Sequence, residues 1–233
     1  ALSGYPGPVH LSVPVDIMFS SFPADSQLDE RPHLHASRPA PRAWPDPDDL
    51  QTVISTLQKS ERPILIGGHG VWWSGAEAKL EEAGKTLGIP IFNIPYHQKL
   101  LPETSAAYMG LADIHQYGPS AKALQEADVV VMVGGRLDNQ MNFGNPPLFP
   151  ASCELICVNG SAEEAELNRA ADQILLSDPS AFFDALLDLS ASGVWQEKGD
   201  WMERQRRQRG EWVAQTLAEM AQDMTPGQGA HPL

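Results

Sequence analysis

From residue 46 onward the apolar positions switch between two periods. Leu50, Val53, Ile54 and Leu57 recur at helical spacing behind Asp46, Pro47, Asp48 and Asp49. An acid before a proline suits the cap and first position of a helix, and further acids suit its positive end. The run RPILIGG at 62–68 is apolar without alternation, as a strand covered on both faces requires. The helix after it is predicted to start at Ser74, with Glu77 three residues on as a capping box, and to stop at Gly88. IPIFN at 89–93 reads as the next strand and residues 95–118 as a long loop. A short helix over 120–127 leads to DVVVMVGG at 128–135, the strongest buried strand in the chain. A polar loop at 136–150 precedes CELICVNG, a strand at 153–160. Ser161 and Glu164 form a second capping box, DQILLSD at 172–178 a further strand, and Pro179 opens a helix with Phe182, Phe183, Leu186 and Leu187 inward.

Strands alternating with helices imply parallel pairing through right-handed crossovers. The expectation is a doubly wound α/β domain over 46–190, with a mostly parallel sheet of five or six strands. The flanks read differently. In residues 1–45, GPVHLSVPVDIMF predicts one strand with Val9, Leu11 and Val13 on a face, followed by a Pro- and Ser-rich linker. A single strand cannot stabilise itself, so it needs a partner elsewhere. Residues 191–233 predict a charged helix with Trp201, Trp212, Val213 and Leu217 as its apolar anchors, then a loose end. Arg204, Arg206, Arg207 and Arg209 read there as a solvated face.

The formal charge of −14 argues against nucleic acid and against anionic membrane surfaces as partners. No run reaches the roughly 20 apolar residues that cross a bilayer, and no export leader opens the sequence. Cys153 and Cys157 fit neither a redox pair nor a zinc knuckle, and as reduced thiols they suit a cytoplasmic protein.

Two turns carry candidate chemistry. After the first strand, Gly67, Gly68, His69 and Gly70 would let a backbone approach a ligand closely, with helix N–H groups aimed at an anion. The dinucleotide fingerprint fails here: Trp73 stands at its third glycine, and the second strand ends in Asn93 rather than an acid. A tight strand-to-helix turn explains the glycines equally well. After the central strand, Gly135, Arg136, Asp138, Asn139 and Asn142 lie where open sheets collect ligands. Arg136 suits a phosphate or carboxylate and its neighbours suit sugar hydroxyls, or else these residues pair with acids and cap turns. His69, His97 and His115 fall in separate loops without metal-ligand spacing, so no metal site is expected.

GYPGPVHLSVPVDIMF resembles the segment that closes the pyrimidine-binding domain of thiamine-diphosphate enzymes. RPILIGGHGVWWSGAEAKLEEAGKTLGIPIFN resembles the start of that family's central domain, and the stretch ending GGRLDNQMNFG, with Gly134, Gly135, Arg136, Leu137 and Asp138, its middle. The resemblance implies a nucleotide-binding-like central domain of an acetolactate synthase-like or 2-hydroxyacyl-CoA lyase-like enzyme. Thiamine diphosphate and Mg2+ would then be held by flanking catalytic domains of the same parent chain, which would assemble as a homodimer or homotetramer. No catalytic residue is implied in this segment. The resemblance leaves three states of the central groove open: FAD, ADP or coenzyme A bound, with Asn159 and Asp178 at strand ends joining the glycine turns; a stand-alone nucleotide module; or a structural spacer whose groove is plugged by Trp72 or Trp73. Asn159, where FAD-binding relatives carry an acid, counts against FAD. NFGNPP resembles the acyl-CoA lyase branch.

Overall fold

The computed structural model describes residues 8–21, 42–95, 99–115, 118–196 and 198–223. The chain divides into two units, residues 1–42 and residues 43–233. In the first, the expected strand at 9–13 does not form. The described backbone there is irregular up to a single helical turn, α1 (Val15–Met18), and Val9, Leu11, Val13, Ile17 and Phe19 are all exposed. Alternation alone makes no strand: the ladder needs a second backbone, and among the described residues none pairs with this one.

The second unit is a six-stranded sheet in the order β3-β2-β1-β4-β5-β6, with every neighbouring pair parallel. Its strands are β1 (Pro63–Gly67), β2 (Ile91–Asn93), β3 (Tyr108–Leu111), β4 (Val129–Val133), β5 (Glu154–Asn159) and β6 (Gln173–Leu176). The sixth strand is β3, inside the stretch expected as a loop. YMGL is too short and too glycine-broken to announce itself by pattern, and it becomes a strand by pairing with β2. The helices are α2 (Pro47–Lys59), α3 (His69–Ser74), α4 (Glu77–Leu87), α5 (Gly118–Glu126), α6 (Ala162–Ala165), α7 (Pro179–Leu189) and α8 (Gly199–Asp223). β1 and β4, paired over all five residues at the sheet centre, are wholly buried, as their unbroken apolar runs require.

Local signals succeed where they are spent on backbone. The Asp46 carboxylate accepts from the N–H groups of Asp48 and Asp49, and Asp178 does the same for Ser180 and Ala181. Both expected capping boxes fail. The Ser74 hydroxyl donates to the Val71 carbonyl, and α4 starts after Ala76 without a side-chain cap; Ser161 precedes α6 but makes no cap bond. The break lies at Gly75, whose φ of 66° ends α3 in the left-handed region that glycine tolerates.

At the amino-terminal edge of the sheet, side chains tie the elements together. The Asp128 carboxylate accepts from the N–H groups of Glu61 (2.8 Å) and Arg62 (2.9 Å), joining β1 to β4. Asp172 accepts from Leu155 N–H at 2.8 Å, joining β5 to β6. The Trp201 indole N–H donates to the Pro63 carbonyl at 2.9 Å, fastening α8 to β1. The anchors of α8 are Trp201, Met202 and Gln205, all buried, whereas Trp212, Val213 and Leu217 are exposed. Its arginines are not simply solvated. Arg204 pairs with Glu126 at 3.2 Å and lies over the Trp201 ring; Arg209 pairs with Glu103 and lies over Tyr108. Among the described residues, no helix is long and apolar enough to cross a membrane.

Candidate functional site

The strand order reverses between β1 and β4, and open α/β sheets bind ligands in the crevice beyond the carboxyl ends at such a point. Both glycine turns lie there. The Gly68 N–H donates to the Val133 carbonyl at 2.9 Å, and the Gly70 N–H to the Gly134 carbonyl at 2.8 Å. The two turns touch backbone to backbone. A Cβ on Gly68 would lie 2.5 Å from the Gly134 oxygen and 2.6 Å from the Gly135 nitrogen, and one on Gly70 would lie 2.7 Å from the Gly134 Cα. Gly134 also has φ of 63°. These glycines are required because two main chains occupy space that any side chain would fill. Gly67 differs: a Cβ there would meet the flexible ends of Leu100 and Leu80.

The remaining predicted residues surround this contact. His69 is the first residue of α3, with Gly68 as its cap. Its pKa is held below the usual 6.5, first by burial and then by the Arg136 charge, so the imidazole is neutral at pH 7. The Arg136 side chain is 52% exposed and lies 3.8 Å from the Glu164 carboxylate, which is only 16% exposed. Asn159, at the end of β5, donates through its amide to the Gly135 carbonyl at 3.0 Å and accepts from the Ser161 N–H at 3.2 Å. Asp138 caps the following turn through the Gln140 N–H, and Asp178 caps α7. Asn142 donates to the Pro146 carbonyl. His115 lies beyond β3, away from His69 in sequence and strand order, and His97 is outside the described residues. Among the described residues, no group of three or more His, Cys, Asp or Glu side chains could hold a metal ion.

Three residues gain importance from the structure alone. Gly134 supplies both the carbonyl and the Cα that Gly70 meets. Glu164, expected to cap a helix, instead faces Arg136. Asn93, at the end of β2, is 2% exposed, and neither of its amide atoms has a protein partner. Its failure to match the fingerprint acid was visible in the sequence; its burial was not. Trp72 and Trp73 form a T-shaped pair 4.8 Å apart and are 41% and 43% exposed. Cys153 and Cys157 are buried free thiols, with burial pushing both pKa values up to about 12.

Comparison with known proteins agrees with this architecture. Residues 50–186 match the family described as thiamine pyrophosphate enzyme, central domain. A 2-hydroxyacyl-CoA lyase of Arabidopsis thaliana is 30% identical over 175 residues, covering 72% of this chain and 28% of that protein. A probable acetolactate synthase large subunit of Methanocaldococcus jannaschii is 24% identical over 209 residues, covering 88% of this chain and 34% of that protein. The crystal structure of benzoylformate decarboxylase from Polynucleobacter necessarius superposes with a TM-score of 0.56 at 22% identity, over 73% of this chain and 32% of that one, a likeness of fold. The chain thus spans about a third of the length of such relatives. The family match covers β1 through most of α7, the whole sheet and the crevice, and the chain belongs to the thiamine pyrophosphate enzyme central domains.

Proposed function

We propose that this chain is the central domain of a thiamine-diphosphate-dependent lyase or carboligase acting on 2-keto or 2-hydroxyacyl substrates, and that it braces the enzyme without contributing a catalytic group. The observation that carries this reading is the family match over the complete six-stranded sheet, in a chain about a third as long as its relatives. Thiamine diphosphate, which stabilises the carbanion formed when a bond beside a carbonyl breaks, is assigned to other domains of the longer enzyme, with its Mg2+. Those flanking domains are the expected partners, in a dimer or tetramer of the parent, and a cytoplasmic location suits the reduced thiols.

Relatives named as 2-hydroxyacyl-CoA lyases and oxalyl-CoA decarboxylases favour cleavage of an acyl-CoA over ligation of two keto acids. The test compares two purified proteins with thiamine diphosphate, Mg2+ and a 2-hydroxyacyl-CoA: this chain alone, and a polypeptide carrying it between the two flanking domains. Turnover is expected from the second only. Turnover by the chain alone would sink the reading. A second reading, a nucleotide module that binds FAD, ADP or coenzyme A, is favoured by the half-exposed Arg136 at the mouth of the crevice.

A further inference from the structure

We infer that the switch-point crevice of this chain is closed against a diphosphate by its own backbone, and that the domain carries no ADP-containing ligand, FAD and coenzyme A included. The inference uses the central-domain reading only to choose these ligands.

A diphosphate at the start of a helix needs N–H groups pointing out at it and no competing negative charge. Here three of the donors are spent. Gly68 N–H goes to Val133, Gly70 N–H to Gly134 and Val71 N–H back to Gly68, each on a main-chain carbonyl at 3.1 Å or less. The Gly134 oxygen that Gly70 meets stands where an anion would have to sit. It is itself a negative dipole end, and it cannot withdraw without parting two turns in direct backbone contact.

The flanking groups point the same way. Arg136, the cation at the crevice, is already faced by the largely buried carboxylate of Glu164, so an incoming phosphate meets a charge of its own sign. Ribose hydroxyls are normally read in such folds by an acid at a strand end. Asn159 occupies the end of β5, and both ends of its amide are used within the chain. Asp138 and Asp178 each hold a cap through Oδ1. Asn93 keeps unused hydrogen-bonding capacity, but at 2% exposure it is sealed from any ligand at the crevice mouth.

Titration of the 233-residue chain with ADP, FAD and coenzyme A, by calorimetry and by thermal unfolding, tests this. The expected result is a cooperative unfolding transition whose midpoint none of the three raises, and no saturable heat up to millimolar ligand. A binder at about one hundred times its Kd would raise Tm by roughly 5–10 °C. A one-to-one isotherm for any of the three overturns the inference, and loss of that isotherm in Arg136→Ala would locate the site the backbone was argued to close. Failure of the lyase assay would bear on the proposed function and leave this result standing.

Discussion

The two edges of the sheet are closed by opposite means. At the amino edge, side chains reach across: Asp128 joins β1 to β4, Asp172 joins β5 to β6, and Trp201 fastens α8 to β1. At the carboxyl edge, side chains are absent where the contact is tightest, and Gly68 and Gly70 meet Gly134 and Gly135 main chain to main chain. The same pair of strands, β1 and β4, is therefore tied at one end by what residues add and at the other by what they lack. The first kind of tie fails when a group is removed, the second when one is inserted. A ligand-binding crevice needs a third arrangement, with donors exposed and unspent.

The largest effect is expected from inserting a methyl group at the carboxyl edge. Gly68→Ala places a Cβ against immobile backbone and should cost about 3 kcal/mol or more in urea unfolding, the upper range for overpacking. Gly134→Ala should match it, since its left-handed φ adds about 1–2 kcal/mol to the steric cost. Losses under about 0.5 kcal/mol, the scale of ordinary surface changes, would show that the turns part easily and would break the comparison.

Next comes removal at the amino edge. Asp128→Ala strands the Glu61 and Arg62 N–H groups and should cost about 2–3 kcal/mol, with Asp128→Asn recovering part of it through its remaining oxygen. A smaller loss, about 1 kcal/mol, is expected for Asp178→Ala if its work is the cap of α7. Arg136→Ala should change stability by less than about 0.5 kcal/mol, because its one ion pair is long and half-exposed. A Tm lowered by several degrees in that variant would mean Arg136 belongs to the structural tie.

The two thiols report on opening without altering it. Cys153 lies at the start of β5 and Cys157 within it, and each has a pKa of about 12 against an ordinary 9.0. Labelling at pH 8 should be slow at both and accelerate together on unfolding; rapid labelling at Cys153 alone would show the amino edge opening first. The shift also sets a pH dependence. A thiol whose folded pKa is raised stabilises fully below its unfolded value, so this contribution is present at neutral pH and erodes from about pH 9 toward 12.

Much of the fold was legible in the sequence because it rests on local rules. The buried runs of β1 and β4, the Asp46 and Asp178 caps and the helix stop at Gly88 each depend on residues within a few positions of one another. The errors share one cause. The strand expected at 9–13 lacks a partner, while YMGL, with little pattern of its own, gains one in β2. Ser74 and Ser161 carry capping-box spacing, yet the helix after Ser74 begins at Glu77, and Ser161 precedes α6 without a side-chain cap bond. The candidate site divides in the same way. The glycines of both turns and Arg136 were visible as unusual residues in ligand-collecting positions, but their partners Val133, Gly134 and Glu164 lie dozens of residues away in sequence or on another strand.

The sequence by itself determined the class of fold, the alternation that makes strands parallel, and the family to which the chain belongs, since those depend on composition and spacing along one line. The tertiary structure decided what the glycines are for. A glycine announces only that a side chain is missing, and both a phosphate and a second backbone can use the space it leaves. Only the three-dimensional structure shows 68–70 meeting 134–135 main chain to main chain, with the Gly70 N–H on the Gly134 carbonyl.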